Sequence, residues 1–460
     1  MKDGNYLITN DAWLHAILSD EEFVSFVTGK LEGPKKLELE QKFFYRNVEW
    51  YEQWVTKLFN QRNHFLAFGP ALHMIVTTLR CNHKCQYCHA AVAPMTAKNL
   101  DMTVETARKV VDTIFYTSSP SLTIEFQWGE SLVNWEVVQF VIEYAEGKAK
   151  WLQKRLSFAL VTNLSLMDEE KLQYLLDHNV GICTSLDGDK ETHNWQRTFS
   201  EWDSYEKVTY WIQRIREAYI ERWLKGGAPA LLTLTRPALQ NYKKVIDTYV
   251  ELGLDVVWLR WLNPYWFAAA EKERLSYSPE EFVEFFHKSM DYIIELNLEW
   301  TYIREMISQV YMQKIIKGID PNFMDIRSPS GPAIGCVAYN YNGDVYASDE
   351  SRMLGRMGMH DFLMTPMLDS AEDTYRAMAF SDVTKIAVQT STLDGLPWYN
   401  DHVYKPYMWV DMIYAYTQDG NPYSSFMKDA RNKMQLARID YLFEKMQDPK
   451  VRQIFESWIN

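Results

Sequence analysis

Cysteine, basic charge and long apolar runs are all scarce in this chain. Five cysteines in 460 residues are too few for the disulfide framework of a small secreted protein. No apolar run approaches the roughly 18 residues of a transmembrane helix, and the opening stretch MKDGNYLITNDAWLHA lacks the basic flank and apolar core of a signal peptide. Lysine and arginine (48) are outnumbered by aspartate and glutamate (61), and the net charge of −13 disfavours a phosphate backbone as ligand. We therefore expect a cytoplasmic protein with neither a nucleic-acid nor a membrane partner.

From about residue 72 onward, β-branched apolar runs alternate with helical patterns. Each of six such runs is followed by a helical pattern, and they lie at residues 72–79, 121–128, 156–162, 179–186, 230–235 and 255–262. Strands that alternate with helices at this spacing indicate βαβ units and a parallel sheet. Six units in about 200 residues suit a partial barrel better than a full eight-fold one. The predicted fold class is therefore α/β, built on a partial (β/α)6 barrel.

Shorter segments flank the predicted barrel. The N-terminal residues combine short apolar patches with a helix near 48–60 and predict a small α+β module. A helical stretch over 279–316 follows the barrel, and YNYNGDVY then places an Asn-Gly turn between aromatic strands, which is a strong hairpin signal. The last residues predict a helix that is interrupted near Pro449. We accordingly divide the chain into domains 1–70, 71–320 and 321–460.

Three of the five cysteines crowd into the loop after the first predicted strand. Cys81, Cys85 and Cys88 are spaced C-x3-C-x2-C. Three thiolates on a four-iron cluster leave one iron with an open position, which is what a reactive site needs. The same spacing is compatible with a Cys3His zinc knot that takes His83 or His89 as its fourth ligand. A zinc knot, however, has no reason to follow the first strand of a βα array.

This motif, its place after the first strand and the aromatic Tyr87 before the last thiol resemble the radical S-adenosylmethionine (SAM) superfamily. The resemblance implies a [4Fe-4S] cluster held by Cys81, Cys85 and Cys88, with SAM bound to the unique iron. It further implies that one electron from the cluster cleaves SAM and releases a 5′-deoxyadenosyl radical, which takes a hydrogen atom from the substrate. The protein then supplies ligation, orientation and the exclusion of water.

The second predicted strand ends in a variant of a family motif. Gln127-Trp128-Gly129-Glu130-Ser131 stands where the family usually has Gly-Gly-Glu-Pro. The resemblance implies that Gly129 and Glu130 bind the SAM ammonium, since a carboxylate and free carbonyls accept strong charge-assisted bonds. The alternative is that Glu130 is a glutamate of a surface turn. Trp128 departs from the family pattern, because a bulky side chain replaces glycine and restricts the backbone. The local geometry around SAM is therefore expected to differ.

Further polar residues follow the later strands. Asn163 and Ser185 resemble the family's amide and hydroxyl contacts to SAM, although turn chemistry explains these residue types equally well. Arg197 either pairs with the SAM carboxylate or forms a surface ion pair. Arg260 interrupts an apolar strand and would be costly if buried alone, so we expect it near the barrel mouth, facing an anion.

Stretches on both sides of the barrel, such as AYNYNGDVYASDESRM, resemble peptide-modifying radical SAM enzymes with a SPASM-type C-terminal domain. The closest resemblance is to the His-Xaa-Ser system radical SAM maturase. That domain carries auxiliary clusters on cysteines, but the matching positions here hold Ser348, Tyr399, His402, Met408 and Asp411. His402 and Asp411 leave open a site for a harder metal, with packing and solvation as the plainer explanation. We expect one cluster in all and a SPASM-like C-terminal α+β domain without auxiliary clusters.

The resemblance implies an enzyme that modifies a ribosomally made precursor peptide, by a carbon-centred crosslink or by epimerisation. Its partners would be the peptide, engaged by the N-terminal module, and a one-electron reductant such as flavodoxin or ferredoxin. The alternatives are a radical SAM enzyme acting on a small metabolite and a non-catalytic partner that presents peptide to another maturase. Epimerisation needs a hydrogen donor, and we favour Cys336 over Cys183, because the hairpin beside Cys336 is expected to cover the barrel mouth. The usual role of a free cysteine, however, is that of a small buried hydrophobe, and this role fits both thiols better than hydrogen donation.

Overall fold

The computed structural model describes residues 4–45, 51–88, 90, 92–199, 203–263, 265, 268 and 271–460. These residues form two compact units, each assembled from separate stretches of the chain. One unit comprises the residues up to 67 together with 307–330 and 389–460, and the other comprises 68–306 and 331–388. The boundaries that we draw near residues 70 and 320 remain predictions, because a compact unit need not coincide with a functional domain.

A nine-stranded sheet forms the centre of the second unit. Its strands, in order across the sheet, are Leu259–Arg260, Ala230–Thr233, Val180–Ser185, Arg155–Val161, Ser121–Phe126, Leu72–Ile75, Cys336–Tyr339, Val345–Tyr346 and Leu363–Thr365. The first seven strands are parallel to one another, and each of the last two is antiparallel to the strand before it. All six predicted barrel strands lie side by side in this open sheet. The α/β fold class with a partial (β/α)6 barrel is thereby confirmed.

Helices follow the barrel strands as the sequence pattern predicts. Thr103 caps the first of them through a hydrogen bond to the Thr106 N–H, and that helix buries residues at i, i+3, i+4 and i+7 against the sheet. The helices of this unit are Val104–Ile114, Trp135–Leu152, Glu169–Asp177, Lys190–Gln196, Ser204–Glu221, Arg236–Leu239, Tyr242–Glu251, Lys272–Leu275, Pro279–Leu298, Asp349–Arg356 and Ala371–Ala379, with Met306–Lys317 and Asp382–Ser391 at its borders. Within the described residues, no helix is both long and apolar enough to cross a bilayer.

Buried and half-buried side chains alternate along the central strands. In Val180–Ser185, Ile182 and Thr184 are buried whereas Cys183 and Ser185 are partly accessible. Residues two apart on a strand share a face, and the fully buried face is the one that the helices cover. The partly accessible face is therefore the inner face of the barrel. Glu125 of the second barrel strand lies on it as well.

The predicted Asn-Gly hairpin forms, and its first strand extends the barrel sheet. Cys336–Tyr339 pairs with Val345–Tyr346 in antiparallel fashion and with Leu72–Ile75 in parallel. In the parallel register Cys336 stands opposite Leu72, the first residue of its strand. The three-cysteine loop follows the other end of that strand, so Cys336 and the loop lie at opposite ends of the sheet. Cys336 therefore lies away from the barrel mouth, whereas the turn of the hairpin lies at the carboxyl edge, where Tyr341 packs with Val76 and Leu79.

The first unit contains a small hairpin and several helices. Tyr6–Thr9 pairs with His15–Leu18, and this hairpin packs in a core with Leu31 and Leu39. The predicted helix near 48–60 is described from Tyr51 onward, while residues 46–50 lie outside the described part. The helices are Asp20–Val27, Gly33–Gln41, Tyr51–Asn63, Pro397–Asn400, Met412–Asp419, Ala430–Lys445 and Pro449–Trp458, so the predicted break near Pro449 is confirmed.

Packing and capping residues occupy the positions where the resemblance to SPASM-type enzymes implies cysteines. Tyr399 and Met408 are 2% and 1% exposed. Asp411 caps helix Met412–Asp419, and His402 accepts a backbone hydrogen bond through Nδ1. No group of three or more His, Cys, Asp or Glu side chains that could hold a metal ion is found among the described residues.

Two tryptophans occupy left-handed positions at helix C-termini. Trp300 has φ 67° after helix Pro279–Leu298, and Trp223 has φ 58° after helix Ser204–Glu221. Both are 95% exposed. The backbone N–H of Thr301 bonds to the carbonyl of Leu296, which completes a Schellman motif whose left-handed position usually belongs to glycine. A bulky residue there strains the backbone and gains no burial.

We therefore expect Trp300→Gly to stabilise the protein by about 0.5–1 kcal/mol. Removing the backbone strain of a left-handed non-glycine residue stabilises the folded state by about 1–2 kcal/mol. The greater conformational freedom of glycine in the unfolded chain offsets part of this gain. The matched control is Trp151→Gly, because Trp151 is also exposed but sits within helix Trp135–Leu152. Glycine there should destabilise the helix by about 0.5 kcal/mol. Thermal unfolding midpoints that fall equally in both variants would contradict this interpretation.

Candidate functional site

The three-thiol segment, residues 81–88, is called the cysteine loop from here on. It follows the strand Leu72–Ile75 at the carboxyl edge of the parallel sheet, where the sites of βα barrels lie. Its centre is not irregular, because His83–Cys85 pairs in antiparallel fashion with Arg197–Phe199. The loop is therefore fixed to the chain that follows the fourth barrel strand.

Asn163 anchors the first thiol of the cysteine loop. Its Nδ2 lies 3.9 Å from Cys81 Sγ, 3.0 Å from Asn82 Oδ1 and 2.9 Å from His83 Nδ1. The backbone N–H of His83 also donates to Cys81 Sγ, at 3.4 Å. Asn163 follows the third barrel strand, so one amide ties the end of that strand to the loop. The structure places this predicted residue at the cysteines.

His83 is a packing residue in this loop. Its Nε2 lies 3.0 Å from Ser204 Oγ and its ring stacks on Phe199 at 4.6 Å between centroids. Burial lowers the pKa of His83 to about 3, which keeps the ring neutral. Both ring nitrogens thus have neighbours within the protein, and neither faces the thiols as a fourth zinc ligand would. His89, the other zinc candidate, lies outside the described residues.

Arg197 reaches the second thiol. Its Nη1 lies 3.9 Å from Cys85 Sγ, while its Nε donates to Asp187 at 2.8 Å and its Nη2 to the Tyr87 hydroxyl. Asp187 is fully buried and also accepts from Tyr87, at 2.8 Å, and from the Thr233 N–H, at 3.1 Å. The Arg197 side chain is 11% exposed. Arg197 is therefore a buried, clamped cation and not a surface ion pair.

The environment of the three thiols suits thiolate ligands. Burial raises the pKa of all three, that of Cys85 to about 12. Opposing this, N–H groups point at each sulfur, and the charge of Arg197 favours the thiolates of Cys85 and Cys88. Hydrogen bonds to sulfur and a partly dry surrounding are what an iron–sulfur cluster requires of its protein. Each thiolate of such a cluster binds a different iron, so the thiols need not converge on one point as zinc ligands do. The donor set therefore fits a cluster.

Glu130 ties the second barrel strand to the third. Its carboxylate, 1% exposed, accepts from the Leu132 N–H at 3.1 Å, the Thr162 hydroxyl at 2.7 Å and the Asn163 N–H at 2.8 Å. Burial raises its pKa, and these three bonds oppose the rise. A carboxylate offers about four acceptor directions, so one is left for a ligand. Its assignment to the SAM ammonium stays a prediction.

Trp128 and Gly129 both adopt left-handed backbone conformations, with φ 73° and 64°. The Trp128 side chain packs into an apolar cluster with Val76, Leu79 and Ala93, beneath the start of the cysteine loop. Burial of the indole offsets the strain that a non-glycine residue meets there. The departure from the family's first glycine is thus compensated by packing. At Gly129, in contrast, a Cβ would lie 2.3 Å from the carbonyl oxygen of Thr78.

Cys183 and Ser185 lie on the inner face of the barrel, as strand alternation predicts. Burial raises the pKa of Cys183 to about 12, the charge of Glu125 raises it further and that of Arg260 lowers it. The group is therefore a thiol at neutral pH. Arg260 stands opposite Thr233 at the edge of the sheet, with its guanidinium 5.2 Å from the Trp258 ring centroid.

Two buried residues at the site are missed by sequence reasoning. Asp187 stands two residues after Ser185 at a strand end, so the rule that identifies Ser185 also indicates Asp187. Arg352 lies on a helix beyond the hairpin, and its Nη2 bonds to the Ala90 carbonyl just after the cysteine loop. No local pattern in the sequence indicates that contact, because it joins segments 262 residues apart.

Comparison with known proteins identifies the family of the barrel. The model for the radical SAM superfamily matches residues 75–245, a range that includes the cysteine loop. Residues 75–245 form a radical SAM domain. Domains of this family are enzymes that use a [4Fe-4S] cluster and SAM, and these are therefore the cofactors of this domain.

Two curated relatives share parts of the radical SAM region. The radical SAM cyclopropyl synthase TigE of Paramaledivibacter caminithermalis is 26% identical over 144 residues, which cover 28% of this chain and 30% of the relative. A cysteine-type anaerobic sulfatase-maturating enzyme of Clostridium perfringens is 25% identical over 235 residues, covering 49% of this chain and 61% of the relative. The chain therefore spans less than two thirds of either relative.

A solved structure shares the fold more widely. Native anSMEcpe with bound AdoMet (SAM) superposes with a TM-score of 0.63 at 16% identity, covering 84% of this chain and 100% of that chain. The same protein with AdoMet and the Cp18Cys peptide gives a TM-score of 0.62. At this identity the likeness establishes the fold alone.

We expect Gly129→Ala to disrupt the cysteine loop of the radical SAM domain. The new Cβ would lie 2.3 Å from the Thr78 carbonyl oxygen and 2.8 Å from that of Arg80, directly before Cys81. Left-handed strain adds about 1–2 kcal/mol. Iron bound per chain after anaerobic reconstitution should fall severalfold. The control is Gly147→Ala, a helical position where a Cβ meets nothing within 4 Å. Equal iron in both variants would show that the loop tolerates the displacement.

Proposed function

We propose that this chain is a cytoplasmic radical SAM enzyme that modifies a ribosomally made precursor peptide at an unactivated carbon. The cysteine loop carries the proposal: three half-buried thiols with N–H donors directed at them stand at the carboxyl edge of a parallel sheet. Cys81, Cys85 and Cys88 would hold the cluster. When bound, the cluster and SAM supply a carbon-centred radical that can take hydrogen from a substrate carbon.

A peptide substrate is supported by the relatives. The clostridial relative matures a sulfatase, and anSMEcpe, whose fold this chain shares over 84% of its length, binds a peptide. One acts on a protein and the other binds a peptide, which favours a peptide over a small metabolite. We extend this proposal to a precursor peptide that residues 1–70 engage. On the resemblance of the flanking sequences, we propose that the peptide belongs to a His-Xaa-Ser system. Residues 321–460 would form a SPASM-like domain in which packing at Tyr399 and Met408 replaces the auxiliary clusters.

The remaining predicted residues would orient SAM and substrate. Gly129 and Glu130 would bind the SAM ammonium, and Ser185 a SAM oxygen. Asn163 would act by fixing the cysteine loop, since its amide is already committed there. Arg260, on the inner face at the sheet edge, would face an anionic group. A flavodoxin or ferredoxin would deliver the electron.

Of the two remaining thiols, Cys183 is the better placed hydrogen donor. It lies on the inner face near the carboxyl end of its strand, whereas Cys336 lies at the far end of the sheet. In an epimerisation the hydrogen atom would pass from Cys183 Sγ to the substrate carbon radical and leave a thiyl radical. One electron from the reductant and one proton from water would restore the thiol.

The test is anaerobic turnover in deuterated water with the peptide encoded by a short reading frame beside the gene. Formation of 5′-deoxyadenosine and the mass of the peptide are followed together. A gain of one mass unit per modified residue indicates epimerisation, and a loss of two indicates a crosslink. For an epimerase we expect Cys183→Ala to lower product formation at least tenfold while 5′-deoxyadenosine still forms.

Cys336→Ala is the matched control and should turn over at the wild-type rate. A wild-type rate for Cys183→Ala would exclude that thiol as donor. If the peptide mass never changes while a small metabolite is converted, the metabolite alternative replaces the peptide. If no 5′-deoxyadenosine forms under any condition, the chain is a non-catalytic partner.

A further inference from the structure

Helix Asp349–Arg356 buries an arginine beside the cysteine loop. Ser348 begins this helix with a capping box, at a position where the resemblance to SPASM-type enzymes implies a cysteine. Arg352 is 1% exposed, and its Nη2 donates to the Ala90 carbonyl oxygen at 3.2 Å. Its Nε and Nη1 have no hydrogen-bond partner in the described part of the chain. A buried guanidinium with uncommitted N–H groups is destabilising unless something else binds them.

The surroundings of Arg352 point to the third thiol. Ala90 lies two residues after Cys88, and the charges of Arg352 and Arg197 both favour the Cys88 thiolate. The other charged or titratable groups that act on Arg352 are Asp349 and Arg356 on its own helix and Tyr346 on the hairpin. None of these satisfies the two uncommitted N–H groups. Among the described residues, therefore, no anionic group binds these two N–H groups.

Arg197 and Arg352 differ in how many of their guanidinium nitrogens already donate hydrogen bonds. Arg197 already donates through Nε, Nη1 and Nη2 to Asp187, Cys85 and Tyr87. Arg352 has committed one of its nitrogens. A [4Fe-4S] cluster held by three thiolates is anionic and presents sulfur acceptors, and hydrogen bonds to that sulfur set its reduction potential.

We propose that Arg352 donates its uncommitted N–H groups to the cluster held by Cys81, Cys85 and Cys88, and that it thereby raises the reduction potential of that cluster. The proposal rests on the cluster ligands put forward in the proposed function. It gives the helix after the hairpin a role at the cluster: Ser348 starts the helix, and the helix brings a cation to the site.

The test is Arg352→Met, which keeps the length of the side chain but removes its charge and donors. The one-electron potential of the reconstituted cluster is measured without SAM or peptide, by a dithionite titration followed by electron paramagnetic resonance. We expect the reduction potential to fall by at least about 59 mV, which is a tenfold change in the equilibrium constant of a one-electron reduction. The cluster-free variant should unfold at the same or a higher temperature than wild type, because a buried charge has been removed.

Arg155→Met is the matched control, because Arg155 is exposed at the start of its strand, at the end of the sheet away from the cysteine loop. Arg155→Met should leave the potential unchanged.

A wild-type potential in Arg352→Met overturns the proposal. A changed SAM affinity with an unchanged potential also overturns it, and would assign Arg352 to the SAM carboxylate. If Arg352→Met assembles no cluster, Arg352→Gln decides: a lowered potential supports the proposal and a wild-type potential overturns it. If Arg352→Met shifts the potential but the wild-type protein modifies no peptide, the peptide substrate is excluded and the role of Arg352 at the cluster is still supported.

Discussion

The site depends on one constraint: three thiols have to be held in a loop that leaves the edge of a sheet. Strand pairing fixes the centre of the loop, His83–Cys85, and side chains from the ends of neighbouring strands fix the thiols. Asn163 binds Cys81 and the two residues after it, while Arg197, held by Asp187, binds Cys85. Glu130 in turn holds the backbone of Asn163. Glu130 and Asp187 are buried, so the loss of a partner would leave either carboxylate unsatisfied, and the network is fixed as a whole.

The barrel could be read from the sequence because its signals are local. Each strand is a β-branched run, and each helix repeats apolar residues at helical spacing, so neither depends on distant parts of the chain. Cys81, Cys85 and Cys88 follow the same logic, since their spacing is contained in eight residues. Strand alternation also assigns Cys183 and Ser185 to one face without reference to any other segment.

What the sequence could not show depends on contacts between distant segments. The strand Cys336–Tyr339 joins the sheet beside a strand more than 260 residues earlier, and this pairing moves Cys336 away from the expected barrel mouth. The direction of the Trp128 side chain follows from a left-handed backbone that the residue type disfavours. Arg352 lies on the helix after the hairpin, so its contact with the segment after the cysteine loop depends on the pairing of the hairpin with the sheet. These features are set by tertiary packing and not by local propensity.

The account centres on a four-iron cluster with one open iron, held by the cysteine loop. The most direct measurement is electron–nuclear double resonance on the reduced, reconstituted protein with SAM labelled by ¹⁵N at the amino group and ¹³C at the carboxylate. The account predicts hyperfine couplings from both labels, because both groups would bind the open iron. A cluster spectrum that carries neither coupling, with SAM present at saturating concentration, would contradict it.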